Sequence, residues 1–292
     1  MKNNELIILF PSEFLDIKKV DEAYISEYEA VCKIPEFKVM LYNYEELVSG
    51  GTIKIYSSEK HTGNCIYRGW MLKPEQYKLL YDSLKSKNIY LINSPDEYNT
   101  CHMFPYAYKY INKSDTPKIL YYYGNECLGR ISWDLLNKTF NRFMIKDYVK
   151  SINEKDYPVF FETPVNVKEM INRFYEFFEY RDGLFTGGIV FKEYVDFNKY
   201  GDVTNEYRAF YLKNKLLSLC LNSNQPEINN PVPVDFVNKY SCLPSNYYTV
   251  DFGELADGRW IVIETGDGQV SGLSPNQNVF KYYYNIRRTI FE

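Results

Sequence analysis

Histidine is almost missing from this chain of 292 residues, which has only His61 and His102, and no two of its six cysteines form a Cys-x-x-Cys pair. A zinc site draws on several such ligands and a Cys–His nucleophile needs both partners, so neither chemistry is expected. Cys32, Cys65, Cys101, Cys127, Cys220 and Cys242 read as free thiols, mostly buried. No segment approaches the roughly 20 apolar residues of a membrane-spanning helix. The opening MKNNELIILFP has too short an apolar run for a secretory signal, and a cytoplasmic protein is expected. Net charge is only −4, so the chain lacks the basic field that draws proteins to nucleic acid or acidic membranes. Missing too are the Gly-x-x-x-x-Gly-Lys-Ser/Thr phosphate loop, the Gly-x-Gly-x-x-Gly dinucleotide motif and the paired His-Arg-Asp and Asp-Phe-Gly set of protein kinases.

What is present is an ordinary globular composition, 45% hydrophobic and 25% charged, with an excess of tyrosine, 30 in all. The tyrosines spread evenly along the chain, which suits core packing better than a base-stacking surface. Over the first 110 or so residues strand-like and helix-like runs alternate: ELIILF, then VDEAYISEYEAVCKI, then FKVMLYNY, TIKIYS and NCIYRGWML, then KPEQYKLLYDSLKSKN. IYLIN and a helix over 95–111 follow, and the pattern predicts an α/β layer. The polar break NKSDTPK at 112–118 divides the chain into domains over 1–112 and 113–292, the second of α+β character. There the strands KILYYY, RFMIKDYVKS and IVFKEYVDF alternate with helices SWDLLNKTF and NVKEMINRFYEFFEYR, and a two-stranded run turns at Lys213–Asn214. Residues 222–233, rich in Asn and Pro, read as a loop.

The informative stretch is VDFGELADGRWIVIETGDG. Asp257-Gly258 between two strand-like runs signals a hairpin. If those two residues form the turn, Ala256 faces Arg259 and Asp251 faces Glu264. Like charges directly opposite, with Cβ atoms about 5 Å apart, are destabilising without a cation or shared proton between them. Asp267, on a glycine-flanked bend just beyond, is the third acid expected near this point. An all-oxygen donor set suits Mg²⁺ better than zinc. The plainer reading is a solvated hairpin whose acids face water. Cations for a phosphate are on offer as well: Lys146 and Lys150, on a strand and the turn after it, and Arg208 within the apolar run EYRAFYL. A buried guanidinium needs a partner, either Glu206 two residues away or a bound anion.

This order of parts resembles the ATP-grasp superfamily over about 115–292, with residues 1–110 similar to the α/β domain that often precedes it. The nearest likeness is to a divergent, phage-associated clade marked by two lysines and one arginine, whose members are largely predicted amide or peptide ligases. The resemblance implies an ATP- and Mg²⁺-dependent carboxylate–amine ligase acting on small-molecule or peptide substrates. It implies that Lys146 contacts the nucleotide phosphates, Lys150 lies near the loop above them, and Lys192, Glu193, Tyr194 and Val195 hold adenine through their backbone, with Asp196 toward the ribose. Arg208 would steady the transferred phosphate, and Asp251, Glu264 and Asp267 would hold Mg²⁺. The family's usual Glu-x-Asn at the last metal strand is replaced by Glu264-Thr265-Gly266, so Asp267 or Gln269 must compensate. The acyl acceptor is expected between the domains, near the 222–233 loop and the strand bearing Arg68, which reads as a substrate contact or a structural ion pair. Two other functions fit the same features: a nucleotide-binding module that switches a partner without turnover, and a ligase acting on nucleic-acid ends, against which the acidic balance argues.

Overall fold

The computed structural model describes residues 5–50, 53–152, 157–222 and 230–292, and all counts below refer to these. Residues 223–229, most of the expected Asn/Pro loop, lie outside them. Strand β1 (Leu6–Pro11) is apolar and buried at every position, as the centre of a sheet covered on both faces must be. It pairs in parallel with β2 (Phe37–Tyr42) and β4 (Gly63–Tyr67), and β3 (Ile55–Tyr56) and β5 (Ile89–Leu91) complete a five-stranded sheet in the order β3-β2-β1-β4-β5. Helices α1 (Ile25–Cys32), α2 (Tyr44–Val48) and α3 (Pro74–Lys85) belong to this layer. Pro74 suits the first turn of α3, where its missing N–H costs nothing, and Asn88 at φ +60° ends the segment.

The helix expected over 95–111 divides at Met103 into α4 (Pro95–His102) and α5 (Phe104–Ala107). Pro105 cannot donate to the carbonyl of Cys101, which would continue the helix. That carbonyl instead accepts from the hydroxyl of Thr265, 2.9 Å away on a distant strand. The proline break thus ties α4 to the C-terminal part of the chain.

An antiparallel sheet follows in the order β6-β9-β7-β8, made of β6 (Ile119–Tyr123), β7 (Arg142–Asp147), β8 (Phe161–Glu162) and β9 (Gly188–Glu193). Helix α6 (Trp133–Thr139), capped by Ser132 as expected, and α7 (Val167–Arg181) cover it through a phenylalanine-rich core. After a short ribbon of β10 (Lys199–Tyr200) and β11 (Val203–Thr204) comes the last sheet, β13-β12-β14-β15. It contains β12 (Glu206–Leu212), β13 (Lys215–Leu221), β14 (Tyr247–Glu254) and β15 (Trp260–Asp267), with α8 (Val234–Lys239) between the two hairpins. Lys213 and Asn214 both have positive φ, the requirement of the two-residue turn expected there. Helix α9 (Val279–Phe291) packs back against α1, so the last residues of the chain share a core with the first sheet. No helix among the described residues is long and apolar enough to cross a membrane. The mixed α/β architecture expected from the sequence is the one observed.

Candidate functional site

The site is built on one row of residues across three strands. Arg208 on β12 lies opposite Asp251 on β14, and Asp251 lies opposite Glu264 on β15. Directly opposed residues share a face, so one cation and two acids stand side by side. Arg208 donates two parallel hydrogen bonds to Asp251, from Nε at 2.8 Å and Nη2 at 2.7 Å. This is the fork geometry that guanidinium offers a carboxylate. Asp251 raises the pKa of Arg208 against the opposing effect of burial. Glu206, the expected partner on the same strand, accepts instead from the hydroxyl of Thr204 at 2.6 Å, and burial raises its pKa.

The Asp251–Glu264 pairing is the one expected, although the turn is not. Leu255 donates to the carbonyl of Arg259 and Gly258 donates to the carbonyl of Leu255, so three residues, Ala256, Asp257 and Gly258, form the loop. Gly258 supplies the positive φ, +84°, that such a loop needs. Near the turn the register is therefore one residue off, with Phe252 opposite Val262. A β-bulge then leaves Ile263 without a partner and brings Asp251 back opposite Glu264. The two shifts cancel. The bulge also frees the Ile263 carbonyl, which accepts from the ammonium of Lys192. Gly253 makes room for it, since a Cβ there would lie 2.7 Å from the Ile263 side chain.

The other cations come from the sheet that carries β7 and β9. Met144 on β7 faces Lys192 on β9, so Lys146, two residues on, points from the same face as Lys192. Lys146 forms an ion pair with Glu264. The two lysines are only 3% and 5% exposed, and both ammonium groups lie over the ring of Phe104, at 5.9 and 5.0 Å. Burial lowers both pKa values, that of Lys192 to about 8, and the Lys192 charge adds to the fall at Lys146. Lys150 is presented by a turn that Asp147 organises: its Oδ1 accepts from the backbone N–H of Val149 at 2.7 Å and of Lys150 at 2.6 Å, while Oδ2 accepts from Arg181 at 2.9 Å. Packing around Lys150 and the charge of Arg208 lower its pKa.

Asp267 is not brought to this cluster. It follows Glu264 by three positions, an odd spacing that turns it to the other face of β15. The expected bend is also absent, because the strand continues through Asp267. The carboxylate is fully buried and accepts from Asn93 at 2.5 Å and from the backbone of Gln269 at 2.9 Å. Burial raises its pKa to about 7. Gln269 does not replace it at the site, since its amide bonds Tyr77 and the backbone of Tyr67. Among the described residues no group of three or more His, Cys, Asp or Glu side chains that could hold a metal occurs, and the two carboxylates that meet on this face are Asp251 and Glu264.

Arg68 is structural: it holds Glu27 through two 2.8 Å bonds and donates to the carbonyls of Gly268, Gln269 and Ser271. The next carbonyl, that of Gly272, accepts from Arg208 at 3.1 Å, so the Arg68 clamp reaches the site through this segment. The stretch from Lys192 to Asp196 passes from one sheet to the next. Glu193 accepts from the backbone of Lys118, the backbone N–H of Tyr194 donates to the carbonyl of Arg142 while its ring lies tilted against Phe160 at 4.6 Å, and Asp196 pairs with Arg142. Val195 lies in the same crossing segment, between Tyr194 and Asp196.

Arg208, Asp251, Glu264 and Lys150 line a chamber of about 110 Å³. Asn93 and Phe104 had no part in the expected site because their partners lie on strands far along the chain, and no local pattern marks His102. His102 also lines the chamber, its ring tilted against Tyr98 at 4.8 Å, and burial, assisted by Lys150, lowers its pKa to about 3.

The model of the ATP-grasp domain, R2K clade family 3, matches residues 130–286, more than half of the chain. Among curated proteins none matches. Solved structures similar in fold include D-alanyl-alanine synthetase A from Vibrio cholerae, at 9% identity and TM-score 0.58, covering 99% of each chain. D-Alanine–D-alanine ligase from Bacillus anthracis, complexed with ATP, is 13% identical with TM-score 0.57, covering 98% of this chain and 99% of its own. A macrocyclase from Microcystis aeruginosa, bound with its precursor peptide, is 13% identical with TM-score 0.53 over 98% and 99%. At these identities the likeness is one of fold, and the match of residues 130–286 supplies the family: this chain belongs to family 3 of the R2K clade of ATP-grasp domains.

Proposed function

We propose that the protein is an ATP- and Mg²⁺-dependent ligase that joins a carboxylate to an amine through an acyl phosphate. The observation that carries this reading is the meeting of Arg208, Asp251 and Glu264 on one sheet with Lys146 and Lys192 from another. Guanidinium and ammonium groups suit phosphoryl oxygens, and a pair of carboxylates with no nitrogen or sulfur donor suits a hard cation that shares its shell with phosphates. Asp251 and Glu264 would hold Mg²⁺, which when bound supplies neutralisation of phosphate charge. Lys146 and Arg208 would steady the transferred phosphoryl group, with Lys150 above the phosphates. The side chain of Lys192 joins the cationic set, while the backbone of Lys192, Glu193, Tyr194 and Val195 would hold adenine and Asp196 would approach the ribose. Residues 1–112 would then supply substrate walls to a nucleotide site built within 113–292.

The reaction balances as two displacements. A carboxylate oxygen attacks the γ-phosphorus of ATP, the bond from that phosphorus to the β,γ-bridging oxygen breaks, and ADP leaves. The amine nitrogen then attacks the acyl carbon, the bond from that carbon to the phosphate oxygen breaks, and inorganic phosphate leaves as the amine proton passes to water. Proteins that share the fold include, by their descriptions, a D-alanine–D-alanine ligase and a macrocyclase bound with a precursor peptide, which supports a search among amino acids and peptides. Incubation with MgATP, hydroxylamine and pools of these carboxylates should give hydroxamate and ADP in equal amounts. Mg²⁺-dependent ATP binding with no hydroxamate from any pool would instead favour a nucleotide-binding module.

A further inference from the structure

The small chamber at Arg208 adjoins a larger one. Met71, His102, Val149 and Lys150 line both. The larger chamber has a volume of about 590 Å³, within the range of small-molecule sites, and lies between α2 and the start of α3 on one side and the Asp147 turn and the end of α7 on the other. Its walls are largely apolar, with Tyr44, Val48, Leu72 and Leu184 prominent among them. The polar groups that reach it are mostly engaged. Gln76 bonds the backbone of Lys73 and of Val48, and Arg181 is held by Asp147 and the carbonyl of Leu184. Lys73 and Asp182 add one charge of each sign.

Two ammonium groups of the chamber, those of Lys73 and Lys150, make no ion pair or hydrogen bond among the described residues, and of the two only Lys150 also lines the small chamber, at the junction with the reacting groups. An apolar cavity with a free cation at the end nearest the reacting groups selects an anion with an apolar body. We infer that this chamber binds the carboxylate substrate, and that the substrate is an acid with an aromatic or otherwise apolar body, its carboxylate turned toward Lys150, which would stand between that carboxylate and the phosphates it attacks. The inference rests on the ligase reading and names the substrate class of that site.

Fluorescence titration with dansylglycine, an aromatic ring system bearing a carboxylate, tests it, with dansylamide as the same ring system without one. Lys150 and Met71 both have solvent contact, 43% for Met71, so Lys150→Ala and Met71→Trp should leave the fold intact. Dansylglycine should bind the wild type at one saturable site and bind Lys150→Ala about tenfold more weakly, the worth of one charge-assisted contact. Met71→Trp, which places an indole at the junction, should weaken it at least as much. Dansylamide should bind the wild type and Lys150→Ala alike. Absence of saturable binding, or unchanged affinity in either variant, overturns the assignment, and equal losses for dansylamide in Lys150→Ala overturn the anionic class. Failure here with hydroxamate formation intact would strike at the chamber alone, whereas success here without hydroxamate formation would strike at the ligase reading.

Discussion

Two faces of the β14–β15 hairpin carry acids, and they treat them in opposite ways. On one face Asp251 and Glu264 stand against an arginine and a lysine. On the other, Asp267 is sealed among amides, with Asn93 and Gln269 as its partners. The three carboxylates lie within 17 residues of sequence, yet the cations near the first pair suit them to exchange partners with a metal and phosphates, while the third is sealed into the junction with the first sheet. Charge type alone did not distinguish them. Strand alternation did.

Neutralising each acid in turn separates the two faces. Glu264→Gln should reduce turnover by about 10³-fold, the scale of losing one group that stabilises transition-state charge. Asp267→Asn should leave the KM for ATP within about threefold while lowering stability by roughly 1–3 kcal/mol through its mismatched amide contacts. Comparable catalytic losses in both variants would erase the distinction between the faces.

The cations can be tested in the same manner. Arg208→Met leaves Asp251 buried beside Glu264 without its partner, and urea unfolding should show a loss of about 2 kcal/mol, less than for a fully buried pair because both side chains keep some solvent contact, 19% and 12%. Arg208→Lys restores a charge without the fork and should recover only part of it.

The pH dependence separates the faces more finely. With its pKa raised from 3.8 to about 7, Asp267 holds a proton in the folded state that the unfolded chain has lost, so its contribution to stability falls as pH rises from about 4 to 7. His102 works in the other direction. With a pKa lowered from 6.5 to about 3, it stays neutral when folded while the unfolded chain is protonated, so its contribution falls as pH drops through that range. Each slope can reach about 1.4 kcal/mol per pH unit. The stability difference between wild type and His102→Phe should therefore grow with pH between 4 and 6, and that between wild type and Asp267→Asn should shrink. The smallest effect is expected at Asp196, whose pairing with Arg142 is largely exposed: Asp196→Ala should change stability by less than about 0.5 kcal/mol, and an unchanged KM for ATP would remove it from the ribose site.

Local chemistry made much of this site legible. The hairpin, the acid pair, Arg208 and the Lys146–Lys150 segment could be read because turn residues and period-two alternation act over a few positions. The Asp251–Glu264 pairing was reached through a turn one residue too short, and the bulge at Ile263 restored it. No local pattern announces a bulge. Asp267 was misplaced because flanking glycines suggested a bend, whereas Gly266 stays in the strand and keeps space beside Thr249 and Ser271, each 2.7 Å from where its Cβ would lie. The role of the Lys192 side chain depends on the β7–β9 register, and the partnership of Arg68 with Glu27 spans 41 positions. Such pairings are decided by packing between distant segments.

On the proposed function, magnesium and nucleotide bind at the Asp251–Glu264 face and not at the Asp267 face. Calorimetry of ATP binding, with and without Mg²⁺, on wild type, Glu264→Gln and Asp267→Asn tests it most directly. Binding by the wild type should depend on Mg²⁺, be retained in Asp267→Asn and be weakened at least tenfold in Glu264→Gln. Equal Mg²⁺-dependent binding by wild type and Glu264→Gln, or loss of binding in Asp267→Asn with its fold intact, would contradict it.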